Sequence, residues 1–298
     1  MKTIAIDHLT KRYGERLAID DLTLAVEEGS VCGLLGPNGA GKSTTFKCLL
    51  GLARFGIGSI TIGGAPVGPA TFETLGYVPE RNALYDWLTV ADHFVIARRS
   101  YKHYDAARAA ELAALFKLDS RKKLKALSKG QQTAVALALA FAIQPRVLIL
   151  DEPASGLDPI FQRSVLELII DAAASGATVL FSSHQIGQVE RAADRVAILR
   201  DGKLVLDGDI DRLKGSEKIV EAIFSSDVPP TPQLEADARV RRIERSGRIV
   251  RAYVRDDAAG VARSLETLAP RAVTIVDLGL EDIFLGAVGA DALQNGTV

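Results

Sequence analysis

The stretch GPNGAGKST, residues 36–44, restricts most strongly what this chain can fold into. It fits the pattern G-x-x-x-x-G-K-[ST], follows the short apolar run SVCGLLG and leads into the segment KSTTFKCLLGL, which is typical of a helix. A strand, a glycine loop and a helix in this order form a phosphate loop, whose glycines let backbone N–H groups face bound phosphates. Outside that context the same letters would indicate only a glycine-rich turn with an exposed lysine.

The side chains of this loop predict separate roles in holding a nucleotide. Lys42 would neutralise the β- and γ-phosphate oxygens, Ser43 would ligate Mg²⁺, and Thr44 would donate to the α-phosphate. We assign the whole loop to the candidate nucleotide-binding set: Gly36, Pro37, Asn38, Gly39, Ala40, Gly41, Lys42, Ser43 and Thr44.

Two adjacent carboxylates end the apolar run VLILDEP, residues 147–153. Burying them is costly unless a cation or a reaction compensates. We predict that Asp151 holds Mg²⁺ through water and that Glu152 is the general base for an attacking water, although a carboxylate that caps the next segment would have the same spacing. His184 ends TVLFSSH at the edge where α/β folds place ligands, so it could bond to the γ-phosphate, but a lone histidine is more often structural.

The stretch LSKGQQ, residues 127–132, precedes the apolar run TAVALALAFAI. Ser128 and Gln131 have the spacing of a helix capping box, which explains them by local structure alone. A helix start with open N–H groups is equally a place where a phosphate can bind. The residues by themselves leave both explanations open.

The order of the predicted elements favours an α/β fold: a phosphate-loop NTPase core with an antiparallel β subdomain and a helical insert, followed by a small α+β appendage. We place the ATPase domain at residues 1–214, its helical insert at about 86–130 and the appendage at 215–298. Capping residues Thr89 and Asp105 should begin helices in the insert, and Leu112, Leu115 and Phe116 should share a face.

Composition sets limits on the setting in which the chain works. The 36 basic and 37 acidic residues give a net charge of −1, which offers no general attraction to nucleic acid. We find neither the layout of a signal peptide nor an apolar run near the ~20 residues of a membrane helix, which predicts a cytosolic chain. Cys32 and Cys48 lie in apolar segments and are predicted to be buried, reduced thiols.

Together these motifs resemble, in order and over residues 1 to about 214, the ATP-binding subunits of ABC transporters. The resemblance implies that LSKGQQ is the signature motif, so Ser128, Gly130 and Gln131 would complete the site of a second subunit around ATP. It also implies that Tyr13 stacks on adenine, that Asp158 of SGLD crosses the dimer interface, and that His184 is the switch histidine.

Two positions depart from the pattern of this family. Lys129 replaces the first glycine of the signature, which either adds a charge near phosphate or continues the basic run before it; we do not interpret it as a loss of activity. Glu80 stands where the family places a glutamine that touches Mg²⁺. The neighbouring Leu84, Tyr85 and Trp87 either form a groove for a permease helix or cover the core of the helical insert.

The resemblance implies an ATPase that dimerises around two Mg-ATP, most simply as a homodimer, and drives integral membrane permease subunits from the cytoplasmic face. The closing stretch GLEDIFLGAVG, residues 279–289, resembles the end of drug- and antibiotic-exporting ATPases and so favours export. A soluble or regulatory ABC-type ATPase without cargo is the alternative.

Overall fold

The computed structural model describes residues 2–81 and 83–289 of the 298-residue chain. By their contacts these residues divide into two units, the first running to Asp207 and the second comprising Gly208–Ala287.

The first unit is built on a six-stranded sheet in the order β10-β9-β3-β8-β7-β6. Strands β6, β7, β8, β3 and β9 run parallel to one another, so their carboxyl ends meet at one edge. β3, β7 and β8 are buried along their whole length, as their unbroken apolar sequences predict. The strands are β3 (Val31–Leu35), β6 (Leu75–Val78), β7 (Val147–Asp151), β8 (Thr178–Ser182), β9 (Arg195–Arg200) and β10 (Lys203–Asp209).

An antiparallel sheet forms the predicted β subdomain of this unit, in the order β2-β1-β4-β5. Apolar residues of β1, β2 and β4 alternate with polar ones and pack in the same core cluster as Phe46 of the first helix. The strands are β1 (Lys2–Tyr13), β2 (Arg16–Glu27), β4 (Ile57–Ile62) and β5 (Ala65–Pro66).

Seven α-helices and one short 3-10 helix (Leu124–Ala126) complete the described part of the first unit. The α-helices are α1 (Lys42–Leu49), α2 (Pro69–Phe72), α3 (Val90–Ser100), α4 (Ala106–Leu115), α5 (Lys129–Ala142), α6 (Pro159–Ala174) and α7 (Ile186–Ala192). Thr89 and Asp105 cap α3 and α4 as predicted. Of the three apolar residues expected to share a face, Leu112 and Phe116 are buried, whereas Leu115, the last residue of α4, is 42% exposed.

The second unit is a four-stranded antiparallel sheet in the order β12-β13-β11-β14, with a helix packed on each face. Strands β12 and β13 form a hairpin that turns at Gly247, which has the positive φ that such a turn requires. Its elements are α8 (Ile210–Gly215), β11 (Lys218–Ile223), α9 (Pro232–Glu235), β12 (Val240–Ser246), β13 (Ile249–Val254), α10 (Ala258–Glu266), β14 (Ala272–Asp277) and α11 (Leu280–Val288).

Both cysteines are buried and free, as predicted, and burial raises the pKa of the Cys32 thiol to about 12. Across residues 2–81 and 83–289, no helix combines the length and the apolar character needed to cross a membrane. The elements together confirm the predicted α/β class, with its antiparallel sheet.

Candidate active site

The glycine loop lies between the carboxyl end of β3 and the start of α1, and close backbone contacts require its glycines. A Cβ atom at position 36 would lie 2.4 Å from the carbonyl oxygen of Leu199, and one at position 41 would lie 2.8 Å from that of Ala18. Gly41, the N-cap of α1, also has a φ of +109°, which side chains other than hydrogen rarely allow. The loop therefore has the backbone shape that exposes N–H groups at a helix start.

Lys42 is the first residue of α1 and is largely buried under this loop. Its ammonium donates to the carbonyl of Gly36 at 2.6 Å and to that of Pro37 at 3.3 Å. Burial lowers the pKa of Lys42 from its usual value, while the nearby carboxylates Glu152, Asp151 and Glu80 oppose that shift. These charges show that the predicted cation and the predicted carboxylates share one neighbourhood.

The carboxyl ends of β7 and β8 bring the predicted base and the predicted histidine into contact. Nδ1 of His184 lies 2.7 Å from Oε2 of Glu152. Glu152 is only slightly exposed, whereas about half of the His184 side chain faces solvent. A carboxylate held by an imidazole at the open edge of the sheet is suitably placed to take a proton from water.

Ser182 bonds to the carboxylate of Asp151 and to the backbone of Glu152, and the sequence analysis did not identify it. Its hydroxyl donates to Oδ1 of Asp151 at 2.7 Å and accepts from the backbone N–H of Glu152 at 3.0 Å. The available signal was a hydroxyl residue ending the otherwise apolar strand TVLFS. Its partner depends on the register that places Ser182 opposite Asp151, which the sequence does not contain.

Oxygen donors suited to a hard cation lie together beside Lys42. Asp151 is almost wholly buried, its pKa is raised by that burial, and its carboxylate also bonds to the hydroxyl of Ser43. The negative charge of Glu80 also raises the pKa of Asp151. Hydroxyl and carboxylate oxygens fit Mg²⁺, which keeps several water and phosphate ligands. Within the described part of the chain no three His, Cys, Asp or Glu residues form a metal-holding group. A bound ion would therefore take its remaining ligands from hydroxyl, water and phosphate oxygens.

Tyr13 ends β1 with its ring about half exposed. Nζ of Lys11 lies 4.4 Å from the ring centroid. The ring is thus not packed in a core, which was the alternative to stacking on a base.

The signature residues lie at the start of α5. Ser128 and Gln131 form the predicted capping box, with the side chain of each bonded to the backbone N–H of the other. A Cβ at Gly130 would lie 3.0 Å from the carbonyl oxygen of Gly156, so SGLD packs against this helix start. Asp158 caps α6 through the N–H groups of Ile160 and Phe161. Lys129 is exposed.

The apolar side chains after Glu80 differ in burial. Leu84 packs on a small cluster of the helical insert that includes Val90 and Leu124. Tyr85 and Trp87 are instead 52% and 65% exposed, with ring centroids 5.1 Å apart. Leu84 and Tyr85 border an apolar cavity of about 820 Å³ whose walls come from β6, α3 and α5.

The chain is similar to known ATP-binding proteins. Residues 19–155 match the family described as "ABC transporter". An uncharacterized ABC transporter ATP-binding protein, YhaQ of Bacillus subtilis, is 38% identical over 218 residues, covering 72% of this chain and 73% of YhaQ. The Nod factor export ATP-binding protein I of Burkholderia orbicola is 34% identical over 295 residues, covering 95% of this chain and 96% of that protein.

Two solved structures share the fold of the first unit. The ATP-binding subunit of an ABC transporter has a TM-score of 0.67 and 33% identity, covering 71% of this chain and 92% of that one. An ATP-binding cassette solved as a dimer after hydrolysis, with ADP and phosphate, has a TM-score of 0.63 and 24% identity, covering 69% and 98%. The second likeness supports the fold alone.

Proposed function

This chain belongs to the ABC transporter family of ATP-binding subunits, and on that premise we propose how its site works. The chain is the ATPase subunit of a transporter. We propose that two copies close around two Mg-ATP and drive a separate membrane permease for export. The observation that carries this proposal is the meeting of Lys42, Asp151, Glu152 and His184 at one sheet edge.

ATP would bind with its phosphates in the loop of residues 36–44 and its base against Tyr13. Backbone N–H groups of the loop and the ammonium of Lys42 would meet the phosphate oxygens, and Thr44 would donate to the α-phosphate. The exposure of Tyr13, about half of the residue, supports stacking because a base could cover the exposed part of the ring.

Ser43, Asp151 and Glu80 would hold Mg²⁺. When bound, this ion would neutralise the charge on the phosphates and orient them. Ser182 would keep Asp151 pointed at the ion, because its hydroxyl already donates to that carboxylate.

Glu152 would orient the attacking water and accept its proton as the water oxygen attacks the γ-phosphorus and the bond to ADP breaks. His184 would hold the carboxylate in place through Nδ1 and bond to the γ-phosphate through Nε2. Lys42 would stabilise the charge that moves onto the β–γ bridging oxygen.

A second copy would supply the other side of the γ-phosphate. The capping box satisfies the N–H of Gln131, and an α-helix leaves its other first-turn N–H groups without intrahelical acceptors. These groups near Gly130, with the hydroxyl of Ser128, suit a phosphate of the partner's ATP. Asp158 would cross the same interface.

Mixing two inactive variants tests this shared site. Lys42→Ala removes the loop cation and Ser128→Arg blocks the signature, so neither protein alone should hydrolyse ATP. Each mixed dimer contains one complete site of two, so dimers purified through both tags should show about half of wild-type activity. The measurement is phosphate release from dimers in which each variant carries a different tag and which are purified through both tags.

Ser128→Thr is the control, because threonine keeps the cap hydroxyl and should keep activity. A mixed dimer that is proven by both tags and yet releases no phosphate would contradict the shared site.

The permease contact would use the cavity beside Tyr85 and the exposed Trp87. The lining is mainly apolar and lies between the helical insert and the main sheet, which suits a short helix of a permease. The Nod factor export relatives, which match almost the whole chain, support export as the direction. We therefore place the protein on the cytoplasmic face of the membrane.

Trp87→Lys should abolish recovery of the protein with its integral membrane partner after gentle extraction, while ATP hydrolysis by the isolated protein stays near the wild-type rate. The substitution would remove the apolar contact that the indole ring makes with the permease. Burying the lysine ammonium in that contact would also cost desolvation free energy. Ile57→Lys, at a side chain that is equally exposed but lies on β4, is the matched control and should keep the partner. Equal losses in both variants would refute the assignment of this surface.

We keep the division of the chain into an ATP-binding domain, residues 1–214, and an accessory domain, residues 215–298, as a proposal. The contact pattern supports it by dividing the described chain close to this position.

A further inference from the structure

Strand β14 forms an open edge of the sheet in the second unit. The sheet has the order β12-β13-β11-β14, so β14 pairs only with β11 among the described strands. Five of its six residues are exposed, and only Val273 is half-buried. A row of backbone N–H and C=O groups therefore faces outward along this strand and can pair with another strand.

The opposite edge of the same sheet is protected, and β14 is not. Strand β12 carries long charged side chains, and one of them, Arg245, contacts Thr231 and Glu235 beside α9. Charged residues on an edge discourage pairing with other chains. The interior of β14, residues 273–276, is Val-Thr-Ile-Val, with no charge and no proline. These are residues that favour strands.

Apolar area is exposed on this open edge. Ile275 and Val276 are each 45% exposed and, as consecutive strand residues, they lie on opposite faces of the sheet. A strand added beside β14 would cover part of both side chains.

Charged residues at the two ends of β14 indicate which strand would pair with it. Arg271 directly precedes the strand and Asp277 ends it, and both are exposed. In an antiparallel pair of two β14 strands centred on Thr274, Arg271 of each copy lies opposite Asp277 of the other. Asp277 also bonds to Lys218 on β11, yet it is exposed enough to accept a second cation.

We propose that β14 pairs with β14 of a second copy of this chain, antiparallel and with Thr274 opposite Thr274. The pairing is self-complementary: Val273 meets Ile275, Ala272 meets Val276, and the end charges meet in opposite pairs. A contact of this kind, in which the same patch serves both copies, is what a two-fold dimer requires.

This contact is separate from the dimer interface that closes around ATP, because no residue of β14 belongs to the proposed nucleotide-binding set. A single strand pair is smaller than a standard interface, so we expect weak association that raises the effective concentration of one ATP-binding unit near the other. The two units of a dimer would then stay associated after hydrolysis opens the shared sites.

Cysteine cross-linking of the full-length protein without nucleotide tests the register. Residues directly opposite in an antiparallel pair have Cα atoms about 4.5–5.5 Å apart, within the range of a disulfide. Thr274→Cys should therefore form a covalent dimer under mild oxidation. Ala272→Cys is the matched control: the two copies of residue 272 would be about 13 Å apart and should not cross-link. The native cysteines are buried and should not interfere.

Mixing Ala272→Cys with Val276→Cys should restore the cross-link, because these positions face each other in the proposed register. We expect about tenfold more covalent dimer for Thr274→Cys, and for this mixture, than for Ala272→Cys alone. Equal yields for Thr274→Cys and Ala272→Cys would overturn the proposal.

Three further variants separate this contact from nonspecific apolar association and from ATP hydrolysis. Ile275→Lys in the Thr274→Cys protein should suppress the cross-link, while Val205→Lys, at a similarly exposed apolar residue of edge strand β10, should not. Lys42→Ala should leave the cross-link unchanged. A cross-link lost in Lys42→Ala, or kept in Ile275→Lys, would overturn the pairing, whereas the complementation of mixed variants described above tests the ATP site independently.

Discussion

Replacing Glu152 by glutamine is expected to lower ATP turnover by about 10²-fold or more while ATP binding is retained. Glutamine keeps the shape of the side chain and can still bond to Nδ1 of His184, which lies 2.7 Å from the carboxylate. It cannot accept the proton of an attacking water at neutral pH. The variant should therefore accumulate as a closed dimer with ATP, measured by phosphate release and by sedimentation with and without ATP.

The backbone conformation of Glu152 is energetically unfavourable, which supports a functional reason for a glutamate at this position. Its φ is +54°, a region that costs residues other than glycine about 1 kcal/mol or more. Its N–H is held by Ser182. Glu167→Gln, at an exposed glutamate that only pairs with Arg163 on α6, is the control and should hydrolyse ATP normally. Near-normal turnover in Glu152→Gln would rule out Glu152 as the base.

Replacing Lys42 by alanine is expected to weaken ATP binding by about 10- to 100-fold, which corresponds to the loss of one charge-assisted contact of about 1.5–3 kcal/mol. The ammonium already lies under the loop, bonded to the carbonyls of Gly36 and Pro37. ATP would offer it stronger, charged acceptors. Calorimetric titration with ATP measures the change.

Lys47→Ala is the matched control, because Lys47 lies on the same helix with its side chain in solvent. Its affinity for ATP should stay within about twofold of wild type, since a solvated lysine contributes little at a distance. Thermal unfolding without nucleotide would identify any general loss of stability in Lys42→Ala. Unchanged affinity in a folded Lys42→Ala protein would contradict the assignment of the phosphate loop.

Local features of the fold could be predicted because their interactions join residues a few positions apart. The helix cap at Thr89 and the capping box at Ser128 were predicted and are present. Their hydrogen bonds and dihedral angles depend on neighbours in the sequence. The phosphate loop belongs to the same class, because a strand, a glycine loop and a helix follow one another directly.

The sequence was least informative about the exposure of side chains whose surroundings come from distant parts of the chain. Leu115 fits the apolar spacing of α4 but lies exposed at its end. Leu84 packs on the helical insert, while Tyr85 and Trp87, one and three residues later, face solvent. Spacing indicates a face, but only the packing of other elements decides how much of that face is covered.

The sequence by itself determined the family, the phosphate loop and the identity of the candidate base, because each is written in a short, ordered motif. The tertiary structure alone decided that Ser182 holds Asp151 and Glu152, and that β14 rather than β12 is the unprotected edge. The physical reason is that register and strand order are set by contacts between residues far apart in the chain, here 30 and 31 positions for the bonds of Ser182.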